Sequence, residues 1–153
     1  MAGRRQSTRS MTRPEVPLRS SQLIWDSIGA STERSLDALK RGLAVSQLQR
    51  FIEATGLPQA DVLRVLKLTG QDYRQRIGAR RLKPLESERL WRLARVFKKA
   101  VDLFEGDSKQ ATHWLVQPQR ALRDASPLRW AATEPGASVV EDLIGRIEFG
   151  VPS

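Results

Sequence analysis

Cysteine is absent from the 153 residues, which excludes disulfides, thiolate nucleophiles and cysteine-based zinc sites, and fits a reducing cytoplasm. Histidine occurs once, as His113, with no carboxylate at a metal-ligand spacing from it. No metal is expected there, and a surface or half-buried structural role is the plain reading. Long apolar runs are missing too. Nothing approaches the roughly 18 residues of a membrane span, and no stretch of signal-peptide length follows the basic start Arg4, Arg5, Arg9, Arg13. A cytoplasmic protein, neither exported nor membrane-bound, is expected. Clean apolar–polar alternation over strand length is lacking, and no glycine cluster precedes a helix to cradle phosphate. No cofactor, catalytic residue or enzymatic activity is expected.

Positive charge is plentiful and unevenly placed. Of the net +9, residues 1–84 carry 16 Lys/Arg against 7 Asp/Glu, whereas residues 85–153 carry 10 of each. Clustered cations release counterions from a polyphosphate, and a neutral surface does not. The first half is therefore suited to nucleic acid and the second to another kind of partner.

The apolar spacing predicts an all-α chain in three parts. Residues 1–16 are polar and basic with almost no large apolar side chain, a disordered arm; residues 17–84 hold a DNA-binding domain; residues 85–153 hold a small helical domain. Leu23, Ile24 and Ile28 suggest a first helix, and Thr32 caps a second that stops at Gly42. Ser46 and Gln49 have the form of a capping box, and Gly56 fits a left-handed terminus. Pro58 opens the next helix, which runs to Leu66 before a break at 68–70. After Pro84, Leu90, Leu93, Ala94, Phe97, Ala100, Val101 and Phe104 mark a long helix, the strongest periodicity in the chain. A short helix carries Ala111, Trp114 and Leu115. Residues 117–137 are expected to be irregular, and Ser138 with Glu141 to open the last helix, which ends at Gly150.

Two short helices at about 58–66 and 70–80 have helix-turn-helix spacing. The second carries Gln71, Arg74, Gln75 and Arg76, followed by Arg80, Arg81 and Lys83. From Arg64 to Lys83 there are seven bases and one acid, Asp72. Arg and Gln pair bidentately with guanine and adenine edges, while flanking cations hold phosphates. Gln71, Arg74 and Gln75 are accordingly placed near bases, and Arg80, Arg81 and Lys83 near phosphates. A half-site reader of this kind works in pairs, and the helix at 85–104 offers a candidate pairing surface.

The run Leu85-Glu86-Ser87-Glu88-Arg89-Leu90 with Arg92-Leu93-Ala94-Arg95-Val96 resembles the Xre/MbcA/ParS-type antitoxins. The resemblance extends through Trp114-Leu115-Val116-Gln117-Pro118, Ala121-Leu122, Pro127-Leu128, Thr133-Glu134-Pro135-Gly136-Ala137 and Val140 to Ile147, with Gly150-Val151. It covers about Gly42 to Ser153. It implies an Xre-like helix-turn-helix domain that binds operator DNA, followed by a toxin-binding domain that neutralises a RES-domain, NAD-consuming toxin by covering its active site. A homodimer, or a larger hetero-oligomer with the toxin, is implied as well. Two departures stand out. Arg123-Asp124 occupies the place where relatives often have a glycine pair, and Thr69-Gly70-Gln71-Asp72 replaces a Ser/Thr-x-Arg-Thr opening.

Within the second half, Trp114, Leu115, Leu143, Ile144 and Ile147 read as core. Arg146, Glu148, Phe149, Val151 and Ser153 are the candidate toxin contacts. Phe149 is either tucked against the long helix or offered to a partner. The alternative function is a stand-alone helix-turn-helix regulator whose second domain dimerises or senses a small molecule.

Overall fold

The computed structural model describes residues 32–150; the suggested helix at Leu23–Ile28, the basic arm, Val151 and Ser153 lie outside them. Eight α-helices follow in order among these residues: α1 Thr32–Arg41, α2 Val45–Thr55, α3 Gln59–Val65, α4 Gly70–Ala79, α5 Pro84–Leu103, α6 Ser108–Val116, α7 Pro127–Trp130 and α8 Glu134–Glu148. A 3-10 turn at Arg120–Leu122 precedes α7. The all-α architecture is as expected, and no strand forms among the described residues.

Local chemistry sets the ends. Glu33 lies in the first turn of α1 and Lys40 and Arg41 in its last, each charge opposing the helix dipole. Gly42 then takes φ 87°, a conformation open to glycine, and a Cβ there would strike the Leu82 carbonyl oxygen. The N-cap of α2 is Ala44, whose amide is received by the Gln47 side chain at 2.9 Å. The expected Ser46/Gln49 box is therefore two residues late: the carboxamide of Gln47 supplies half of a box without a hydroxyl partner. Gly56 closes α2 in the left-handed region as expected.

α5 is the spine. Leu90, Leu93, Ala94, Val96, Phe97, Ala100 and Val101 are all buried along it, and it packs against α1, α3, α6 and α8. Burying residues on both sides of a helix requires neighbours on both sides, so α5 is a shared core element, and Leu85, Glu88, Lys98 and Lys99 are among its exposed positions along that spine. One continuous core joins Leu48, Phe51, Val62 and Leu66 from the first half to Leu115, Leu122, Val140 and Ile144 from the second. Phe51 and Phe97 meet edge to face at 6.0 Å and 78°, the arrangement ring quadrupoles favour.

The segment 117–137 is more ordered than its three prolines suggest. Ser126 caps α7, accepting from the Arg129 amide, and Pro127 fits the first turn. The last helix begins at Glu134, four residues before Ser138: Thr133 is its N-cap, accepting from the Gly136 amide at 3.1 Å, and Pro135 sits in its first turn. Gly136 is required by close approach, because a Cβ would overlap the Trp130 carbonyl. Glu141 is consequently not a capping residue. It pairs with Arg95 (2.7 Å) and Lys99 (2.6 Å) of α5, while Glu134 pairs with Arg92 (2.7 Å) and Arg95 (2.8 Å).

Candidate functional site

The basic face is built on α3 and α4. Between them the chain turns on a left-handed Lys67, φ 56°. The Lys67 amide reaches the Arg64 carbonyl and the Leu68 amide reaches that of Leu63, the two bonds of a Schellman ending. Gly70, expected in the break, is instead the first residue of α4. Thr69 caps that helix: its hydroxyl accepts from the Asp72 amide at 3.1 Å, and the Asp72 carboxylate accepts from the Thr69 amide at 3.0 Å. The Thr69 hydroxyl also donates to that carboxylate at 2.8 Å, and the two bonds it accepts, from the Thr69 amide first and the hydroxyl second, hold the Asp72 carboxyl below its usual range.

α4 has no buried residue. Its partly buried Tyr73 packs against the core, and three polar devices add to that contact. Arg76 donates three hydrogen bonds of 2.8–3.1 Å to the Glu86 carboxylate in the first turn of α5. The Val45 amide donates to the Arg80 carbonyl at 3.2 Å, and the Leu82 amide to the Leu43 carbonyl at 2.8 Å. Arg81 donates to the Gly42 carbonyl at 2.8 Å. The C-terminal end of α4 is thus tied to the α1–α2 turn and its middle to α5.

The Arg76–Glu86 pair is secluded, with side chains 12% and 8% exposed. Burial pushes the Glu86 carboxyl upward, but the bonds from Arg76 and from the Lys83 amide outweigh it and leave the group below the usual carboxylate range. Arg76 is held charged by the same contact. Sequence alone makes Glu86 an ordinary first-turn acid; its partner ten residues upstream is set by how α4 crosses α5.

The sequence-predicted residues divide accordingly. Gln71, Arg74, Gln75, Arg80, Arg81 and Lys83 are exposed, whereas Arg76 is turned inward onto Glu86. Lys67, which the helical spacing did not single out, is also exposed, at the turn between α3 and α4. The remaining cation of this stretch, Arg64, pairs with Asp61 at 3.0 Å.

The second candidate surface is the end of α8. Arg146, Ile147, Glu148 and Phe149 are all exposed there. Phe149 is 83% exposed and borders a shallow concavity with Asp142, Gly145 and Arg146. It is offered to solvent rather than tucked against α5. Ile147, expected in the core, is 44% exposed. The pairing of α5 with α8 explains this. Glu141 meets Lys99, α5 ends one turn later at Leu103, and Ile147 lies nearly two turns beyond Glu141. The apolar stripe of α8 outlasts the helix that covers it.

His113 is exposed on α6. Among the described residues no cluster of acids and histidine could hold a metal ion, and no helix is long and apolar enough to cross a membrane.

Two family models match the chain. One, described as the antitoxin Xre-like helix-turn-helix domain, covers residues 35–95; the other, described as the antitoxin Xre/MbcA/ParS C-terminal toxin-binding domain, covers residues 99–150. The chain is similar to a protein named antitoxin Xre from Yersinia enterocolitica, 36% identical over 140 residues, which span 89% of this chain and 95% of the relative. It is also similar to an antitoxin Xre from Photorhabdus laumondii, 35% identical over 87% of this chain and 93% of that one. A protein from a Sphingobium species named Prs ADP-ribosylating antitoxin is 28% identical over 79% of this chain and 82% of its own length.

Proposed function

Because the chain belongs to the Xre antitoxins of toxin–antitoxin systems, we propose that it neutralises a RES-domain, NAD-consuming toxin by covering its active site and represses its own operon. The observation that carries the first half is Phe149, an aromatic side chain 83% exposed at the end of the matched toxin-binding domain. An exposed aromatic flanked by charged residues is the kind of anchor that dominates protein interfaces. Arg146, Glu148 and Phe149 contact the toxin, with Val151 and Ser153 completing the plug. The name of one relative adds support, since ADP-ribosylation draws its ADP-ribose from NAD. Steric exclusion needs no catalytic group and no cofactor in this chain.

On the operator, α3 crosses the backbone and α4 enters the major groove. Gln71, Arg74 and Gln75 meet base edges at the exposed start and middle of α4; Arg80, Arg81 and Lys83 meet phosphates beyond its end. Arg76 serves this surface by holding α4 on α5 rather than by touching DNA. Two copies bind together, one for each half-site, and residues 1–16 act as a basic arm beside a DNA-binding part at 17–84 and a toxin-binding part at 85–153.

The test is co-expression with the protein of the neighbouring reading frame as the candidate toxin. Co-purification, restored growth and restored cellular NAD are expected. A full-length chain that leaves growth arrested and NAD depleted refutes neutralisation. Operator binding unaffected by the toxin but altered by a metabolite would favour the stand-alone regulator.

A further inference from the structure

Two consecutive non-glycine residues, Arg123 and Asp124, hold left-handed backbone at φ 55° and 58°. An L-residue is strained there because its Cβ crowds the following carbonyl oxygen, a penalty glycine escapes. The surroundings impose the conformation. The Gln119 amide donates to the Ala125 carbonyl at 3.1 Å, the Asp124 amide to the Gln119 carbonyl at 3.0 Å, and the Ala125 amide to the Leu122 carbonyl at 3.1 Å. Trp130 ties the same turn down, its indole N–H donating to the Leu122 carbonyl at 3.0 Å.

Nothing in the fold compensates through the two side chains. Both are exposed, and neither makes a side-chain hydrogen bond or ion pair among the described residues. Strain kept at a surface turn, with side chains that do not repay it, points to a role outside the fold.

What the turn borders gives that role a chemistry. An open concavity has an apolar floor of Leu122, Trp130, Pro135 and Val139, and Arg123 and Arg129 on its rim. Arg129 is exposed and, like Arg123, has no acidic partner among the described residues. Elsewhere in this half Arg92, Arg95 and Lys99 are neutralised by Glu134 and Glu141. The rim therefore presents two free guanidinium forks, each able to grip a carboxylate bidentately. Val139 and Phe149 lie ten residues apart on or at the end of one helix, about 15 Å, a span that one standard interface covers.

We propose that this concavity is a second toxin-docking point: it receives an acidic loop of the toxin, whose carboxylates pair with Arg123 and Arg129 while an apolar side chain rests on Trp130 and Val139. This rests on the toxin-neutralising reading above. Arg123 is then a specificity-determining residue, because its side chain serves the partner and not the fold.

The test measures thermal stability together with affinity for the toxin that the co-expression experiment identifies, on the full-length chain. A double variant, Arg123→Gly with Asp124→Gly, relieves the backbone strain while removing the rim charge. Its Tm is expected to be no lower than that of the parent, its toxin Kd to rise roughly tenfold or more, and its operator affinity to stay unchanged. Arg129→Ala is expected to weaken toxin binding similarly at constant Tm. Toxin affinity within twofold of the parent in both variants overturns the inference, as does a loss that only accompanies a lower Tm. A fall in operator affinity with a shallower salt dependence would make the rim a DNA contact and overturn it equally. Should the parent chain itself fail to bind the toxin, the neutralising reading fails along with the inference.

Discussion

Replacing Glu86 by alanine removes the ion pair that ties α4 to the first turn of α5. Its carboxylate accepts three bonds from Arg76 and one, at 2.8 Å, from the Lys83 amide. The two side chains are 8% and 12% exposed, so water cannot fully take over when one leaves. Breaking a buried pair by deleting one partner costs about 3–5 kcal/mol, chiefly because the survivor is left uncompensated. For a chain of this length each kcal/mol moves Tm by about 2–4 °C, so a fall of roughly 10 °C is expected. Glu86→Gln keeps the shape and an acceptor but loses charge assistance, and about 1.5–3 kcal/mol is expected.

Thermal unfolding followed by circular dichroism, paired with operator binding by fluorescence anisotropy, separates the two consequences. Because α4 has no buried residue, loosening its tie should weaken operator binding more than toxin binding. An apolar pair, Arg76→Met with Glu86→Leu, should recover most of the lost stability, since buried ion pairs are often replaced by apolar groups at little cost. A Glu86→Ala chain that melts within about 2 °C of the parent, or one that melts early yet binds operator normally, would refute the reasoning.

Acidification should act on the same contacts: the folded carboxyls of Glu86, Glu134 and Glu141 all lie below the ordinary glutamate value of 4.5. Their stabilisation is full above about pH 4.5 and is lost as pH falls through the lowered folded values, so urea midpoints flat from pH 5 to 7 and dropping below 4 are expected; a midpoint that rises on acidification contradicts the pairing. Phe149→Ala should change stability by less than about 0.5 kcal/mol, as befits a surface side chain, while raising the toxin Kd roughly thirtyfold; equal toxin affinity would remove Phe149 from the interface. Gly42→Ala should cost at least about 2 kcal/mol in urea unfolding, from its left-handed φ of 87° and the collision with the Leu82 carbonyl; an unchanged midpoint would show that the α1–α2 turn can relax.

Where one residue type has one physical use, the sequence is a sufficient guide. Gly56 ends α2, Thr69 caps α4, and the 3.6-residue period of Leu90 to Val101 marks the spine. It misleads where a less usual residue does the same work. Gln47 caps α2 without a hydroxyl before it, Lys67 takes a left-handed place that glycine would occupy at no cost, and Pro135 opens a helix instead of interrupting a loop. Contacts between elements are not legible at all. Glu86 and Glu141 have the same look as any helix-end acid, and only the crossing of α4 and α8 over α5 supplies Arg76, Arg95 and Lys99 as partners. The site inherits that limit. Polarity identifies Arg74 and Arg76 alike as recognition-helix cations, yet one is exposed and the other is spent inside the fold.

That distinction reaches the salt dependence of operator binding, where counted charge and available charge diverge. Of the seven bases from Arg64 to Lys83, only Arg76 is secluded, against Glu86; Arg64 meets Asp61 in a solvent-exposed contact that leaves its charge at the surface. The exposed cations are Arg64, Lys67, Arg74, Arg80, Arg81 and Lys83. Each phosphate neutralised contributes about 0.9 to the slope of log K against log salt concentration. Arg80→Ala, and likewise Lys83→Ala, should therefore flatten the slope by about 0.9 per bound chain, with losses nearly equal on operator and random DNA. Arg74→Ala should instead cost about 1–3 kcal/mol on operator and little on random sequence. The double variant Arg76→Met with Glu86→Leu should leave the slope as it is, because the positive charge it deletes is already matched by the negative charge it deletes with it. A slope flattened by that variant as much as by Arg80→Ala would mean that Arg76 leaves Glu86 to reach a phosphate, and that DNA itself, rather than the fold, decides which of the two anions it holds.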